Sequence, residues 1–308
     1  MSKKIVVIFN PISGAGRAST GGRHVADRLS ALGYEVATIP TQLESPSQWL
    51  NPALHGAALL LIAGGDGAVR MAAPSASRTG TPIYHLPFGT ENLFAREFGM
   101  DASEATLRGA LDRFEVRRVD MGIANGRTFL LMASVGFDAE VVHHLAERRG
   151  NSISHFSYVA PILSQLRRWR PPVLKIIVDG VSINPDGSGF VVVANSRQYG
   201  WRLNPAGRAS MSDGLLDVAF FPTRSRRGLV GWAIRCRLQR HLDHARLIYR
   251  TGQNVTITCE SPARYQIDGD PPGVLHEMAE GDPPRPEDQR PLSLNVSIRP
   301  AALSVLVP

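Results

Sequence analysis

Residues Lys4 to Phe9 read Lys-Ile-Val-Val-Ile-Phe, a short β-branched and aromatic run stopped by Asn10-Pro11. With no polar alternate positions after Lys4, the run predicts a strand buried on both faces. Three further segments of this kind follow: Tyr34 to Ile39, Ala57 to Ile62 and Thr81 to Leu86. Helix-length stretches lie between them, from about Gly21 to Leu32 and from Ala68 to Ala76, and Gly33 supplies the left-handed residue that closes the first. After Asn92 another helical pattern carries Phe94, Ala95 and Phe98. Alternation of buried strands with helices constrains this chain more than any other feature. It predicts a parallel sheet with helices on both faces, in which ligands bind beyond the carboxyl ends of the strands.

Near Val119-Asp120 the texture changes to short strands separated by turns: Thr128 to Ala133, Val173 to Val178, Gly189 to Ala194, Leu216 to Phe220, Asn254 to Thr258 and Arg264 to Ile267. These predict a largely antiparallel β domain, interrupted by helices over Ala139–Glu147 with Phe156–Arg168 and over Arg227–Leu242. Pro271 to Pro291 is rich in Pro, Glu and Asp and reads as an exposed loop, and Leu292 to Val307 is again strand-like. A length of 308 residues suits two domains and is ample for a core, which excludes disorder and a disulfide-stapled miniprotein. Cys236 and Cys259 match no disulfide framework and no metal-ligand spacing, so a reducing compartment is expected. Met1-Ser-Lys-Lys leads straight into a strand rather than a signal peptide. The longest uncharged run, Ser45 to Gly65, holds too many polar residues and prolines to span a bilayer, which points to a soluble or peripheral protein.

Three loops at the predicted strand ends carry chemistry. Asn10-Pro-Ile-Ser-Gly-Ala-Gly16 leaves a strand and enters a helix, where glycines let a ligand approach and helix-start amides point at anions. Gly64-Gly-Asp-Gly67 allows a nest of N–H groups around a carboxylate free to meet a metal or hydroxyl. Pro87-Phe-Gly-Thr-Glu-Asn92 adds a hydroxyl and an amide. Each alone is a weak signal; their order and placement in one sheet are much less likely by chance.

With these loops in hand, the sequence resembles the diacylglycerol kinase-like lipid kinases, which also include sphingosine and ceramide kinases. The resemblance runs through the three loops, Phe94-Ala-Arg96, Val135-Gly-Phe-Asp-Ala139, Asn204-Pro-Ala206, Asp213-Gly-Leu-Leu-Asp217, Ile267-Asp-Gly-Asp270 and the closing Arg299 to Pro308. It implies an α/β nucleotide-binding domain over residues 1–119, to which 292–308 return, and a β-sandwich-like lipid-substrate domain over 120–291. ATP would lie between them with its phosphates near Gly64–Gly67. Asn10, Thr41 and the Gly64, Gly65, Asp66, Gly67, Ala68 run would line the nucleotide, with Thr90 and Asn92 opposite. Asp268 matches the general base that takes the proton of the lipid hydroxyl. Asp213, with the main-chain carbonyls of Ser210 and Leu215, matches a magnesium site of bacterial relatives. Without the resemblance, Asp268-Gly269-Asp270 reads as a tight β-turn.

The chain departs from that pattern at Ala68, Arg70, Glu91 and Asp270, where the family commonly has Thr, the start of an Asn-Glu segment, a small residue and Glu. Glu91 beside a triphosphate calls for a cation, and Arg70 is the one expected. These departures keep open a catalytically silent lipid- or nucleotide-binding protein. The nearest enzyme alternative is an NAD kinase, which shares the glycine-rich loop and overall layout, but no matching Asn-Glu/Asp motif for the dinucleotide occurs and the closing segment argues against it. The net charge of +7 favours anionic partners. Eight arginines between Arg224 and Arg250 face one acid, Asp243, and interleave with Leu229, Val230, Trp232 and Leu238, a composition suited to an anionic membrane surface. Arg167-Arg168-Trp169-Arg170 is a second such cluster. The expected setting is therefore cytoplasmic, peripheral to the inner membrane face, with a homodimer allowed. No zinc-finger spacing or aromatic RNA-binding signature supports nucleic acid. His143-His144 and His241-x-x-His244 lack a third ligand and read as ordinary histidines.

Overall fold

The computed structural model describes residues 4–147, 166, 169–275 and 293–308. It forms two compact units, one running through Met121 with Pro300–Pro308 added, the other Gly122–Arg299.

In the first unit β1 (Lys4–Phe9), β2 (Glu35–Pro40), β3 (Leu59–Gly64) and β4 (Ile83–Pro87) are parallel, in the order β2-β1-β3-β4. The end of β15 (Ser293–Leu306) joins β4 through Val305 beside Ile83. β1 and β3 are buried on both faces, as their unbroken apolar runs predict. Helices α1 (Arg17–Ala31), α2 (Pro46–Leu54), α3 (Asp66–Thr79) and α4 (Leu93–Phe98) follow β1 to β4 in turn, and α5 (Glu104–Arg113) follows α4. Since β2 and β3 flank β1 on opposite sides, the connection reverses at β1/β3, the switch point where such sheets bind ligands.

Helix α1 starts four residues before the predicted Gly21. Its glycines are packing residues rather than a loop: a Cβ on Gly22 would lie 3.1 Å from that of Ala63 and 3.2 Å from that of Phe9. Helices α2 and α5 have weak sequence signals. Pro52 sits inside α2, and α5 buries only Leu107 and Ala110, beginning at Ser103, whose Oγ accepts the Thr106 N–H at 3.2 Å. The buried Asp120 accepts the Ala301 N–H at 2.7 Å, where β15 bends through a left-handed Ala301.

The second unit is mainly antiparallel. β5 (Val116–Ala124), which enters this unit at Gly122, and β6 (Arg127–Phe129) form a hairpin through Asn125-Gly126, both at positive φ as a type I′ turn requires. β7 (Met132–Val135), β8 (Val173–Val178), β9 (Val181–Ala194), β12 (Asn254–Cys259), β13 (Ala263–Ile267) and β14 (Asp270–Leu275) run in the order β14-β13-β7-β9-β8-β12-β15. β10 (Leu216–Pro222) pairs with β9 and with β11 (Ile248–Gly252). Alternate residues of β9, β10 and β12, among them Val191, Val193, Val218, Phe220, Val255 and Ile257, meet in one core. Helices α6 (Phe137–Glu147) and α7 (Arg226–Arg237) follow β7 and β10.

Three expectations are corrected here. Asp270–Leu275 is a strand despite Pro271-Pro272, tolerated because among the described residues β14 is an edge paired only to β13. The rest of that predicted loop lies outside the described residues, as does nearly all of the predicted Phe156–Arg168 helix. Helix α7 ends five residues before Leu242, broken by Gln239 at φ +54°. The closing segment rejoins the first unit at Pro300 rather than residue 292, since Ser293–Ser297 pair with β12.

Candidate functional site

Four neighbouring strand ends in the first unit carry the predicted nucleotide residues. The N–H of Asn10 donates to Ala63 O at 3.1 Å and that of Thr41 to Phe9 O at 2.9 Å, so both sit directly beyond the sheet. The side-chain oxygen of Asn10 accepts the Ile12 N–H at 3.1 Å and shapes the loop that follows. The loops after β3 and β4 are pressed together: a Cβ on Gly89 would lie 2.6 Å from the Cα of Gly65. No larger residue fits there. Asn92 closes the second loop on itself, accepting the Gly89 N–H at 2.8 Å and donating to Gly89 O at 2.9 Å, with Thr90 exposed between them.

Helices α1 and α3 begin at adjacent strand ends, with Gly16 and Gly65 as N-caps, and neither has a side-chain cap. Unsatisfied N–H groups and the positive end of the dipole make such helix starts anion sites. The lead into α1 is left-handed at Gly14, Ala15 and Gly16 in succession, an arrangement alanine adopts only under constraint. In the first turn of α3, Ala68 is spent on structure. Its N–H donates to Gly65 O at 2.9 Å and its side chain is buried. Gly67 is the opposite case: it is exposed, its φ is ordinary, and an added Cβ would meet nothing within 4 Å. Among the described residues no contact accounts for a glycine there, and the open space leaves its backbone accessible to close approach.

Asp66 is not the free carboxylate that the sequence predicts. Its Oδ2 accepts the Leu93 N–H and its Oδ1 the Phe94 N–H, each at 2.9 Å, so it caps α4 from a different loop. Beneath it His85 is fully buried, with Nε2 on Gly64 O at 3.0 Å and Nδ1 without a hydrogen-bond partner. Burial pushes the pKa of His85 down, and the charge of Asp66 and the Gly64 carbonyl oppose that only in part. The imidazole is neutral at pH 7 with the proton on Nε2, because a carbonyl can only accept. Glu91 is held by Arg96 of α4, 3.3 Å away, a cation the sequence did not single out for it.

In the second unit Asp268 accepts three main-chain N–H groups, from Leu130 at 2.8 Å and from Leu131 and Met132 at 2.9 Å. Its own N–H returns to Met132 O at 2.9 Å, and it stands at φ +47° beside Gly269 at φ +80°. Asn195 binds the other side of the same segment, donating from Nδ2 to Leu130 O and from its N–H to Leu131 O, both at 2.8 Å. Gln266 accepts the Gly269 N–H at 2.8 Å and donates to Ser134 Oγ at 2.8 Å. Ser134 in turn donates to Asp138 Oδ2, which also accepts the Tyr199 hydroxyl at 2.8 Å. Burial raises the pKa of Asp138, and these donors offset the rise in part. Asn195, Gln266 and Asp138 were given no role in the sequence reading. The only signal was the place of Asp138 inside Val135-Gly-Phe-Asp-Ala139.

The predicted magnesium residues lie on one turn. Asp213 is exposed and accepts the Leu215 N–H at 3.0 Å. The Tyr249 hydroxyl donates to Asp217 Oδ1 at 2.6 Å, while the buried Asp217 Oδ2 has no hydrogen-bond partner. Burial, and next the charge of Asp213, raise the pKa of Asp217. An exposed carboxylate on a turn that also carries main-chain carbonyls is donor chemistry suited to a hard cation such as Mg²⁺. Among the described residues no cluster of three His, Cys, Asp or Glu could hold a metal. His143 and His241 bond to main-chain Tyr265 O and Pro205 O. Cys236 is a buried thiol pushed up to about 12 by burial. Trp169 of the second basic cluster is buried edge-on against Phe137, and Arg167-Arg168 lie outside the described residues.

Residues 4–124 match the diacylglycerol kinase catalytic domain, and residues 132–307 match the YegS C-terminal NAD kinase beta sandwich-like domain. A diacylglycerol kinase of Mycobacterium tuberculosis (strain ATCC 25618 / H37Rv) is 27% identical over 313 residues, covering 99% of this chain and 95% of the relative. A "Probable lipid kinase YegS-like" of Pseudomonas aeruginosa (strain UCBPP-PA14) is 31% identical over 175 residues, covering 54% of this chain and 56% of that one. A solved diacylglycerol kinase structure from Bacillus anthracis str. Sterne shares the fold, with a TM-score of 0.70 at 17% identity over 99% of this chain and 97% of that one. Among the described residues no helix is long and apolar enough to cross a membrane.

Proposed function

The chain belongs to the diacylglycerol kinase-like lipid kinases, and from that premise we propose that it transfers the γ-phosphate of ATP to the hydroxyl of a lipid such as diacylglycerol. The observation that carries this reading is the pair of uncapped helix starts, α1 and α3, side by side at the switch point, with Gly67 standing in open space. Phosphoryl transfer needs positioned N–H donors and charge neutralisation more than covalent help from the protein. The N–H groups at the start of α3 would face the phosphates, and Asn10, Thr41 and Thr90 would border the nucleotide. The lipid oxygen bonds to the γ-phosphorus as the bridging P–O bond breaks. ADP leaves, and the hydroxyl proton passes to a base, the role proposed for Asp268. Mg²⁺ would be held by Asp213 with the carbonyls of Ser210 and Leu215, where it would supply positive charge.

The three N–H groups on the Asp268 carboxylate favour a second reading, in which this residue holds a loop and the protein binds its ligands without turnover. The deciding experiment follows label from γ-phosphate-labelled Mg-ATP into a total lipid extract and into NAD. Wild type is expected to label a lipid, and Gly67→Val to lose that transfer while melting normally. Nucleotide binding with no labelled lipid supports the second reading. Label in the dinucleotide supports an NAD kinase.

A further inference from the structure

Helix α7 buries Leu229, Trp232 and Cys236 and turns the opposite face to water. On that outer face Val230, Ile234 and Leu238 recur every fourth residue, 41%, 54% and 58% exposed. Arg226, Arg227 and Arg237 border this apolar stripe, and no acid occurs between Arg224 and Arg240. Among the described residues those three arginines have no carboxylate partner, and the ion pair nearest in sequence joins Arg208 to Asp243 at 3.9 Å.

Helix stability does not explain this distribution. A helix start favours acids, yet the first turn of α7 holds two arginines and no acid, and its cap is only the Ser225 hydroxyl on the Gly228 N–H at 3.2 Å. Solubility does not explain three adjacent aliphatic side chains in water either. The loop bearing Trp201, itself 44% exposed, is tied just past the helix by Gln239 Nε2 to Leu203 O at 3.3 Å and by His241 to Pro205 O at 3.0 Å. Aliphatic residues in a ring of unpaired arginines, with an indole at one end, match the interface of an anionic bilayer, where the stripe enters the acyl boundary and the guanidinium groups meet phosphates.

We propose that the outer face of α7 docks on an anionic phospholipid surface, with Val230, Ile234 and Leu238 inserted. This goes beyond the kinase reading. Its test uses no ATP and no turnover, so failure of either leaves the other standing. The full chain is floated with vesicles of phosphatidylcholine alone or mixed with phosphatidylglycerol, at low and high salt. Wild type is expected to bind only the anionic vesicles and to lose binding in salt.

Arg226→Gln, Arg227→Gln and Arg237→Gln together should weaken partitioning roughly a hundredfold, at about fivefold for each charge removed. Val230→Ser with Ile234→Ser should weaken it about tenfold or more at unchanged charge and unchanged melting. In an Ile234→Trp variant, the added indole should shift its emission to the blue and be quenched by brominated acyl chains. Three results would overturn the proposal. The first is no binding to anionic vesicles. The second is binding that ignores the serine pair and is matched by heparin or single-stranded DNA, which would mark a general polyanion surface. The third is a homodimer that the serine pair dissociates, which would assign the face to a second copy of the chain.

Discussion

Asp66 and Asp268 occupy similar sequence settings, each followed by glycine, and each reads as a carboxylate offered to a ligand. In the fold both turn onto main-chain N–H groups of another segment. Asp66 takes two, at the start of α4; Asp268 takes three, on the segment leading into β7. They differ in surroundings. Asp66 caps a short helix at a half-buried loop, where water can replace part of what it supplies. Asp268 satisfies the N–H groups of Leu130, Leu131 and Met132, all buried. The first carboxylate shapes a ligand loop. The second holds part of the core of its unit, so its loss would confuse folding with catalysis.

The comparison breaks most readily at Asp268. In Asp268→Ala three buried N–H groups lose their acceptor, and stability should fall by at least about 3 kcal/mol, read as a lower urea midpoint. Equal midpoints for Asp66→Ala and Asp268→Ala would sink the distinction. Asp66→Ala should cost about 1–2 kcal/mol, as for other lost helix caps, and should weaken nucleotide binding as α4 frays.

A similar contrast holds between two glycines of the nucleotide loops. Gly89→Ala places a methyl group 2.6 Å from the Gly65 Cα and 2.8 Å from Asn92 Oδ1, so two backbones must separate. It should cost about 1–3 kcal/mol and loosen the loop that presents Thr90. Gly67→Ala meets no protein atom, and inside a helical turn it should leave stability unchanged or raise it by up to about 1 kcal/mol. Its effect should appear in ATP affinity, measured by calorimetry. Unchanged affinity would remove the ligand-based reason for that glycine.

How much of this was legible in the sequence depends on range. β1 and β3 were readable because burial on both faces writes itself as an unbroken apolar run, and the loops at their ends followed. The work of Asp66 and Asp268 was not readable, because their partners lie 27–28 and 136–138 residues away. The same holds for Asn195 and Leu130, 65 residues apart. Arg96, five residues from Glu91, was within local reach, yet the pattern of charges along the sequence singled out only Arg70 for that carboxylate. Helices α2 and α5 escaped because an internal proline and a two-residue apolar stripe carry almost no periodic signal.

The smallest effect concerns two buried histidines, one in each unit. His85 and His241 both have pKa values lowered by burial, and each donates from Nε2 to a carbonyl, of Gly64 and Pro205. A histidine depressed in the fold takes up its proton more readily in the unfolded chain. Their contribution is therefore complete above the unfolded value near 6.5 and is lost as pH falls toward the folded values. The melting temperature should drop between pH 7.5 and 5.5. His85→Leu separates the two sites: Gly64 O keeps the Phe88 N–H at 2.8 Å, and the wild-type Nδ1 has no hydrogen bond to lose. The substitution should cost little at pH 7.5 and reduce the acid slope. For His241 the same change strands Pro205 O, so it should destabilise at both pH values. If the slope in His85→Leu matched that of wild type, the acid sensitivity would have to arise from groups other than the histidine under the glycine-rich loop.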